Sequence, residues 1–237
     1  MDYLALRQDN IEIKYVAGEK LWAKETSVFL QEALVFLSCY FGLKKPFSLI
    51  RVALAPSRSQ YDQLVTNFLG VKVKTPSVPQ RIAQTQETKM VFLSPTAYKD
   101  DSSYKFKPEE YRRLVFHELV HVFEEHLSAD MEAVPCWWGE GLAVYLSGQG
   151  KYEDEFRQPV LRGIRERNIP TFQSIQASRK QGYRWGWTIV AFIEKTYGKK
   201  MILKIAKKGN NKNILKIINE DLKDFEKKWK NMLYSKQ

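Results

Sequence analysis

The pattern of apolar and polar positions predicts a sheet in the first half of the chain. Alternating or continuous apolar runs predict three strands, over residues 11–16, 47–54 and 88–93. Apolar residues at helical spacing predict two helices that end at glycines, over 19–41 and 59–69. The segment 71–80 contains Pro76 and Pro79 and is predicted to be a loop.

The second half has a helical pattern throughout. A helix is predicted over 108–127, because Pro108 suits the first helical turn and Glu109 and Glu110 face the positive end of the helix dipole. Further helices are predicted over about 138–146, 152–168, 171–177, 183–197, 199–208, 211–219 and 221–234. We therefore expect a single α+β domain over 1–237, with an N-terminal mixed-sheet lobe (1–107) and a mainly helical lobe (108–237).

The predicted helix 108–127 carries the segment His117-Glu118-Leu119-Val120-His121, which has the pattern H-E-x-x-H. Residues four apart point the same way on a helix, so the two imidazoles can bind one metal ion. Catalytic zinc usually has three protein ligands and a water. Glu118 lies beside the histidines and is a candidate base for that water. The alternative interpretation is a helix with two ordinary histidines on a partly buried face.

Glu140 is the candidate third ligand, and eighteen residues separate it from His121. Gly139 and Gly141 flank it, which predicts a close approach of another backbone. The chain has three histidines, and the remaining one, His126, is predicted to be a surface residue at the end of the helix. The positions at which the metzincin pattern requires Gly and His hold Glu124 and Leu127, so the pattern excludes that class.

These segments resemble the gluzincin metallopeptidases, in particular the catalytic domain of alanyl-aminopeptidase-type enzymes and the small gluzincins of bacteria. The resemblance extends to Trp137-Trp138-Gly139-Glu140-Gly141-Leu142-Ala143-Val144-Tyr145, which is similar to the family's third-ligand segment. It implies a zincin-like fold with a zinc cleft between the two lobes. It also implies one zinc ion per chain, bound by His117, His121 and Glu140, with Glu118 as the base.

A second similar segment, Tyr183-Arg184-Trp185-Gly186, lies downstream. The resemblance implies that Tyr183 is the tyrosine that hydrogen-bonds the oxyanion formed when water attacks a carbonyl. Arg184 is a nearby alternative donor. Tyr183 can also be interpreted as an aromatic residue at a helix start that packs on the core. In the same way, Trp137 and Trp138 either wall the site or belong to the core.

The strand before the zinc helix has a functional interpretation through the same resemblance. In the family this strand forms a sheet edge beside the cleft, so we expect a peptide or protein substrate to extend along residues 88–94. The alternative is an ordinary edge strand protected by Lys89. Residues 84–94 lack the Gly-x-Met-Glu-Asn motif with which the aminopeptidases bind a free amino group.

Composition narrows the classes of function further. The net charge of +11 is concentrated in lysines of the last forty residues, which alternate with apolar positions as on solvated helix faces, so we expect no nucleic-acid partner. No apolar run is long enough to span a bilayer. The N-terminus has no signal pattern, which predicts a cytoplasmic protein, or an exported one if the N-terminus was trimmed. Cys39 and Cys136 are predicted to be buried thiols.

The sequence thus predicts a zinc-dependent metallopeptidase that hydrolyses peptide bonds with an activated water. The alternative is a non-catalytic, zinc-containing protein that binds a peptide or an envelope component in the same groove. The presence of Glu118 favours the enzyme, because a vestigial site has no chemical need for the base.

Overall fold

The computed structural model describes residues 2–210 and 212–235. Its contacts divide the chain into two compact units, Met1–Phe123 and Glu124–Gln237. Strands and helices are both present in the first unit, and the elements that begin in the described part of the second unit are helices. The chain is therefore an α+β protein, as the sequence predicts.

The first unit contains a five-stranded mixed sheet. The strands are β1 (Leu4–Gln8), β2 (Ile11–Tyr15), β3 (Ile50–Ala55), β4 (Ala83–Gln86) and β5 (Lys89–Leu93). Their order across the sheet is β1-β2-β3-β5-β4. The central strands β2, β3 and β5 are parallel, while β1 and β4 pair antiparallel at the two edges. The parallel strands are the most buried, which agrees with their β-branched and apolar sequences.

The three predicted strands are present as β2, β3 and β5, although β3 begins at Ile50 rather than at Phe47. The expectation that residues 88–94 form a sheet edge is wrong. Strand β5 is bonded to β3 on one side and to β4 on the other, so both of its sides are paired within the sheet. The edge strand on this side of the sheet is β4, whose sequence Ala-Gln-Thr-Gln has no apolar alternation from which a strand could be predicted.

Four α-helices begin in the described part of the first unit: α1 (Lys20–Phe41), α2 (Arg58–Asn67), the short α3 (Tyr98–Asp101) and α4 (Pro108–Leu127). Helix α1 ends at Gly42, whose φ of 66° is a left-handed conformation that glycine adopts without strain. Helix α4 has the bounds that the sequence predicts. It is fixed against α1 by a hydrogen bond of 2.9 Å between the hydroxyls of Tyr111 and Thr26, both buried.

Two side chains of α2 bond to the backbone of the predicted loop between α2 and β4. Arg58 is buried, and its guanidinium donates to the carbonyl oxygens of Pro79 (3.3 Å), Arg81 (2.5 Å) and Asp101 (2.5 Å). One turn further along α2, the carboxylate of Asp62 accepts the backbone N–H of Ser77 at 2.9 Å. These bonds satisfy backbone groups that a loop would otherwise leave unpaired, and they fix the segment that leads into β4.

The second unit is helical. Its helices are α5 (Cys136–Leu146), α6 (Gln149–Tyr152), α7 (Asp154–Arg165), α8 (Phe172–Ala177), α9 (Arg179–Tyr197), α10 (Lys199–Lys208), α11 (Ile214–Ile218) and α12 (Leu222–Tyr234). Aromatic rings fill its core, and Phe172 contacts both Trp137 and Phe225 at centroid distances of 5.1 and 5.3 Å. The predicted helix 211–219 begins at Asn211, which lies outside the described residues.

Helix α9 begins four residues before the predicted start at Tyr183. Ser178 caps it, because its hydroxyl accepts the backbone N–H of Gln181. Tyr183 therefore lies in the second turn and not at the helix start.

The prediction that both cysteines are buried is wrong. Cys39 lies on the exposed face of α1, and Cys136 is half-buried at the start of α5. Helix α1 presents several apolar side chains to solvent, among them Val35, so an apolar residue in its sequence does not imply burial. Among the described residues, no helix is both long and apolar enough to cross a membrane.

Candidate metal centre

The two histidines of the H-E-x-x-H segment lie side by side on α4. Val115, Leu119 and Val122 are buried on the back of the helix and hold it in place. The Nε2 atoms of His117 and His121 are 3.1 Å apart. Two nitrogens bound at 2.0–2.1 Å to a tetrahedral ion would be about 3.3 Å apart. The pair therefore fits a zinc ion with little adjustment.

Glu118 is buried, and only 8% of it is exposed. Its carboxylate accepts a hydrogen bond of 2.5 Å from the hydroxyl of Thr85 on the edge strand β4. The carboxylate of a helix residue is thus oriented by a neighbouring strand, and the hydrogen bond restricts its rotamers.

Tyr61 of α2 also lies near this carboxylate. It is fully buried, and burial, together with the negative charge of Glu118, raises the pKa of its phenol well above the ordinary value. The shift favours the protonated, uncharged form of the phenol, so Tyr61 adds no second negative charge near Glu118.

Glu140 lies in the second turn of α5 and is half-buried. The residue before it, Gly139, lies against the buried carboxylate of Glu124, because a Cβ at Gly139 would be 3.0 Å from Oε2 of that side chain. Glu124 belongs to the last turn of α4. Its negative charge lies at the start of α5, where the helix dipole favours an anion.

Glycines allow α5 and α9 to pack with their backbones in contact, as the glycines around Glu140 predict. A Cβ at Gly141 would be 2.5 Å from the carbonyl carbon of Gly186. A Cβ at Gly186 would be 2.1 Å from the carbonyl oxygen of Trp137. Gly182, which precedes Tyr183, also lies against α5, because a Cβ at Gly182 would be 3.1 Å from the backbone of Trp137.

His117, His121 and Glu140 form a group that could hold a metal ion. One donor atom from each lies within 4.8 Å of those from the other two. His117 is buried, and the other two side chains are half-buried. This is the donor set of two imidazoles and a carboxylate that zinc accepts in open sites.

The other residues that the sequence analysis singles out differ in how exposed they are. Tyr183 is half-buried, and its ring stacks on Phe156 with centroids 5.7 Å apart. Arg184 is exposed. His126 is exposed, as predicted. Trp137 and Trp138 are each 1% exposed and belong to the core of the second unit, so they do not present a free face to a ligand.

Sequence reasoning missed Thr85 and Tyr61. Thr85 lies in a strand that has no apolar pattern, and its hydroxyl reaches Glu118 only because β4 is the sheet edge. Tyr61 occupies an ordinary core position of α2, and nothing in its local sequence distinguishes it from other buried tyrosines. Both residues are brought to Glu118 by the fold, which local patterns do not describe.

No protein-family model matches the chain, and a search of curated proteins finds no match either. The chemistry of the site therefore has to be inferred from its own residues and their geometry.

Proposed function

We propose that this protein is a zinc-dependent metallopeptidase of the gluzincin type, which hydrolyses peptide bonds with an activated water. The observation that carries the proposal is the group of His117, His121 and Glu140, with Glu118 buried beside it. An H-E-x-x-H segment with a third carboxylate is the arrangement that such chemistry uses.

His117, His121 and Glu140 would hold the zinc ion. When bound, zinc lowers the pKa of a water molecule and polarises the carbonyl of the scissile bond. Glu118 takes the proton from the attacking water and passes it to the leaving amine. Thr85 keeps the carboxylate of Glu118 in the orientation that this transfer needs.

Tyr183 supplies the second polar group of the proposed mechanism. Its phenol donates a hydrogen bond to the oxyanion that develops on the attacked carbonyl. Its support is the position of the residue next to Gly182, which lies against the backbone of Trp137 in α5, together with the stacked Phe156, which holds the ring. A donor that is already oriented stabilises the transition state without first having to reorganise.

The substrate is a peptide in an extended conformation along the edge strand β4. Strand β4 is bonded to β5 on one side, and it is the last strand in the order of the sheet. An extended peptide can pair with the free side of such a strand. Thr85 lies on the same strand, so a peptide bound there would pass close to Glu118.

The first experiment measures the metal content of protein purified without added metal, by mass spectrometry. We expect about one zinc per chain, and much less in Glu140→Ala. Glu118→Gln should keep the zinc and lose hydrolysis of a peptide library. A wild-type protein that neither contains nor takes up zinc would overturn the proposal. So would a Glu118→Gln variant that cleaves at the native rate. Retained zinc without any hydrolysis would instead favour a zinc-containing binding protein.

A further inference from the structure

The second unit contains a cavity of about 430 Å³ beside Tyr183. It is lined by Glu155, Phe156, Arg179, Lys180, Tyr183 and Arg184. The rings of Phe156 and Tyr183 stack at an interplanar angle of 26° and form the apolar part of the cavity lining. The remaining lining residues are charged.

Positive charge predominates in this cavity. Lys180 and Arg184 are one helical turn apart, so they lie on the same face of α9, and Arg179 adjoins them. All three are exposed, and Glu155 supplies the single carboxylate among the lining residues. Like charges one turn apart destabilise a helix. Three cations and one carboxylate leave the lining of the cavity with an excess of positive charge, which attracts an anionic ligand.

We infer that this cavity binds a carboxylate of the peptide substrate. The inference rests on the proposed function, because that function places the phenol of Tyr183 at the reacting carbonyl. A group that occupies a cavity lined by the same tyrosine then belongs to a substrate residue close to the scissile bond. The protein therefore prefers acidic peptides.

The chemistry of the lining residues fits a carboxylate in particular. Guanidinium groups bind carboxylates through paired N–H···O bonds, and an ammonium group adds a point charge. The stacked rings offer an apolar surface to the methylene groups that precede the carboxylate in Asp or Glu. A C-terminal carboxylate has the same chemistry, so the experiment has to distinguish it from a side chain.

The test uses fluorogenic peptides and the zinc-loaded, full-length protein. In one series, a single Glu moves along an otherwise neutral peptide with an amidated C-terminus, and each peptide has a twin with Gln. In the other, a neutral peptide is compared with a free and with an amidated C-terminus. In one of the two series, we expect kcat/KM to be about tenfold higher for the peptide with the carboxylate than for its neutral twin. This ratio should decrease as salt is added.

The matched variants each remove two positive charges from the second unit. Arg179→Gln/Lys180→Gln changes the cavity but leaves Tyr183 and Arg184 in place. Arg162→Gln/Arg165→Gln changes two exposed arginines of α7 outside the cavity. We expect the carboxylate preference to fall to about twofold or less in the first variant and to persist in the second. A preference that both variants retain, or that neither peptide series shows, would overturn the inference.

A binding measurement separates this inference from the proposed function. The same peptides, labelled for fluorescence anisotropy, are titrated into Glu118→Gln, which needs no turnover. If the Glu peptides bind more tightly than the Gln peptides, and if Arg179→Gln/Lys180→Gln abolishes this difference, the carboxylate site in the cavity is supported. This holds even if the wild type cleaves nothing and the peptidase proposal fails. Equal binding of Glu and Gln peptides, with clear hydrolysis of both, would overturn the inference that the cavity binds a carboxylate. The proposal that the protein is a peptidase would then still hold.

Discussion

Glu118 illustrates how a single residue depends on a neighbour from another element. Its carboxylate is buried on α4, and the hydroxyl that orients it belongs to Thr85 on β4. A buried carboxylate that loses a donor either rotates to find another or loses the energy of the hydrogen bond. In either case its distance to a proton donor changes, and catalysis is sensitive to small changes of that distance.

We therefore predict that Thr85→Val lowers kcat about tenfold and leaves the zinc content unchanged. Valine keeps the shape of threonine but removes the hydroxyl. Thr85→Ser, which restores a hydroxyl, should recover most of the activity. Steady-state kinetics with a fluorogenic peptide and metal analysis of all three proteins make the comparison. Full activity in Thr85→Val would show that Glu118 is held by other contacts.

A second prediction at this scale concerns Tyr183. Tyr183→Phe removes the phenolic oxygen but keeps the ring that stacks on Phe156, so the fold and the metal content should not change. The loss of an oxyanion donor should lower kcat about 100-fold or more. A loss of less than about tenfold, measured on the same peptide, would remove Tyr183 from the catalytic residues.

At the level of residues, the sequence predicts that the two imidazoles of α4 lie side by side, because H-E-x-x-H places them through helix periodicity alone. The proximity of Glu140 rests on a motif spacing, and the structure groups it with the histidines. Thr85 could not be predicted in this way. Its role depends on which strand is at the sheet edge, and that property arises from contacts between distant residues.

At the scale of elements, the packing of α5 against α9 has the least tolerance for change. Gly141 and Gly186 bring the two backbones into contact beside the segment that carries Glu140. Main-chain atoms cannot move aside by rotating about a side-chain bond, so any added atom must separate the helices. The glycines have no side chains, and the close packing that they allow between the two backbones fixes the position of Glu140.

We predict that Gly141→Ala destabilises the protein by about 2–3 kcal/mol, because its Cβ would be 2.5 Å from a backbone carbon of α9. The variant should also bind zinc more weakly. Gly18→Ala is the control, since a Cβ at Gly18 meets nothing within 4 Å. Chemical denaturation monitored by circular dichroism gives both free energies of unfolding. Equal stability of the two variants would contradict the close packing.

The elements themselves are mostly predictable, and their arrangement is not. The bounds of α4 and the ends of α1 follow from caps and periodicity that are visible in the sequence. The position of β5 inside the sheet does not follow from its sequence. A strand at the edge of a sheet and a strand beside the edge can have the same apolar sequence. The early start of α9 depends on the cap at Ser178. The apolar pattern that predicts this helix begins only at Tyr183, so it does not include the cap.

At the scale of the whole molecule, the proposed metal site would link metal binding to folding. An ion bound by side chains of the folded chain stabilises that state over the unfolded one, which has no assembled site. The α+β class was predicted correctly. The division of the chain into lobes at residues 107 and 108 stays a prediction, while the two compact units meet within α4, after Phe123.

We predict that zinc at about 100 times its dissociation constant stabilises the metal-free protein by roughly 2.7 kcal/mol. For a chain of this length this corresponds to a rise in Tm of about 5–10 °C. A chelator should reverse the rise, and His117→Ala should abolish it. Differential scanning calorimetry at several zinc concentrations makes the measurement. A shift of equal size in His117→Ala would place the metal elsewhere.

Arg58 gives the first unit a cross-link of the kind that a disulfide provides in many secreted proteins. It joins α2 to three separate points of the backbone, at Pro79, Arg81 and Asp101. Hydrogen bonds from a guanidinium do not depend on the oxidation of thiols. The segment that leads into the edge strand therefore keeps its place equally in reducing and in oxidising surroundings.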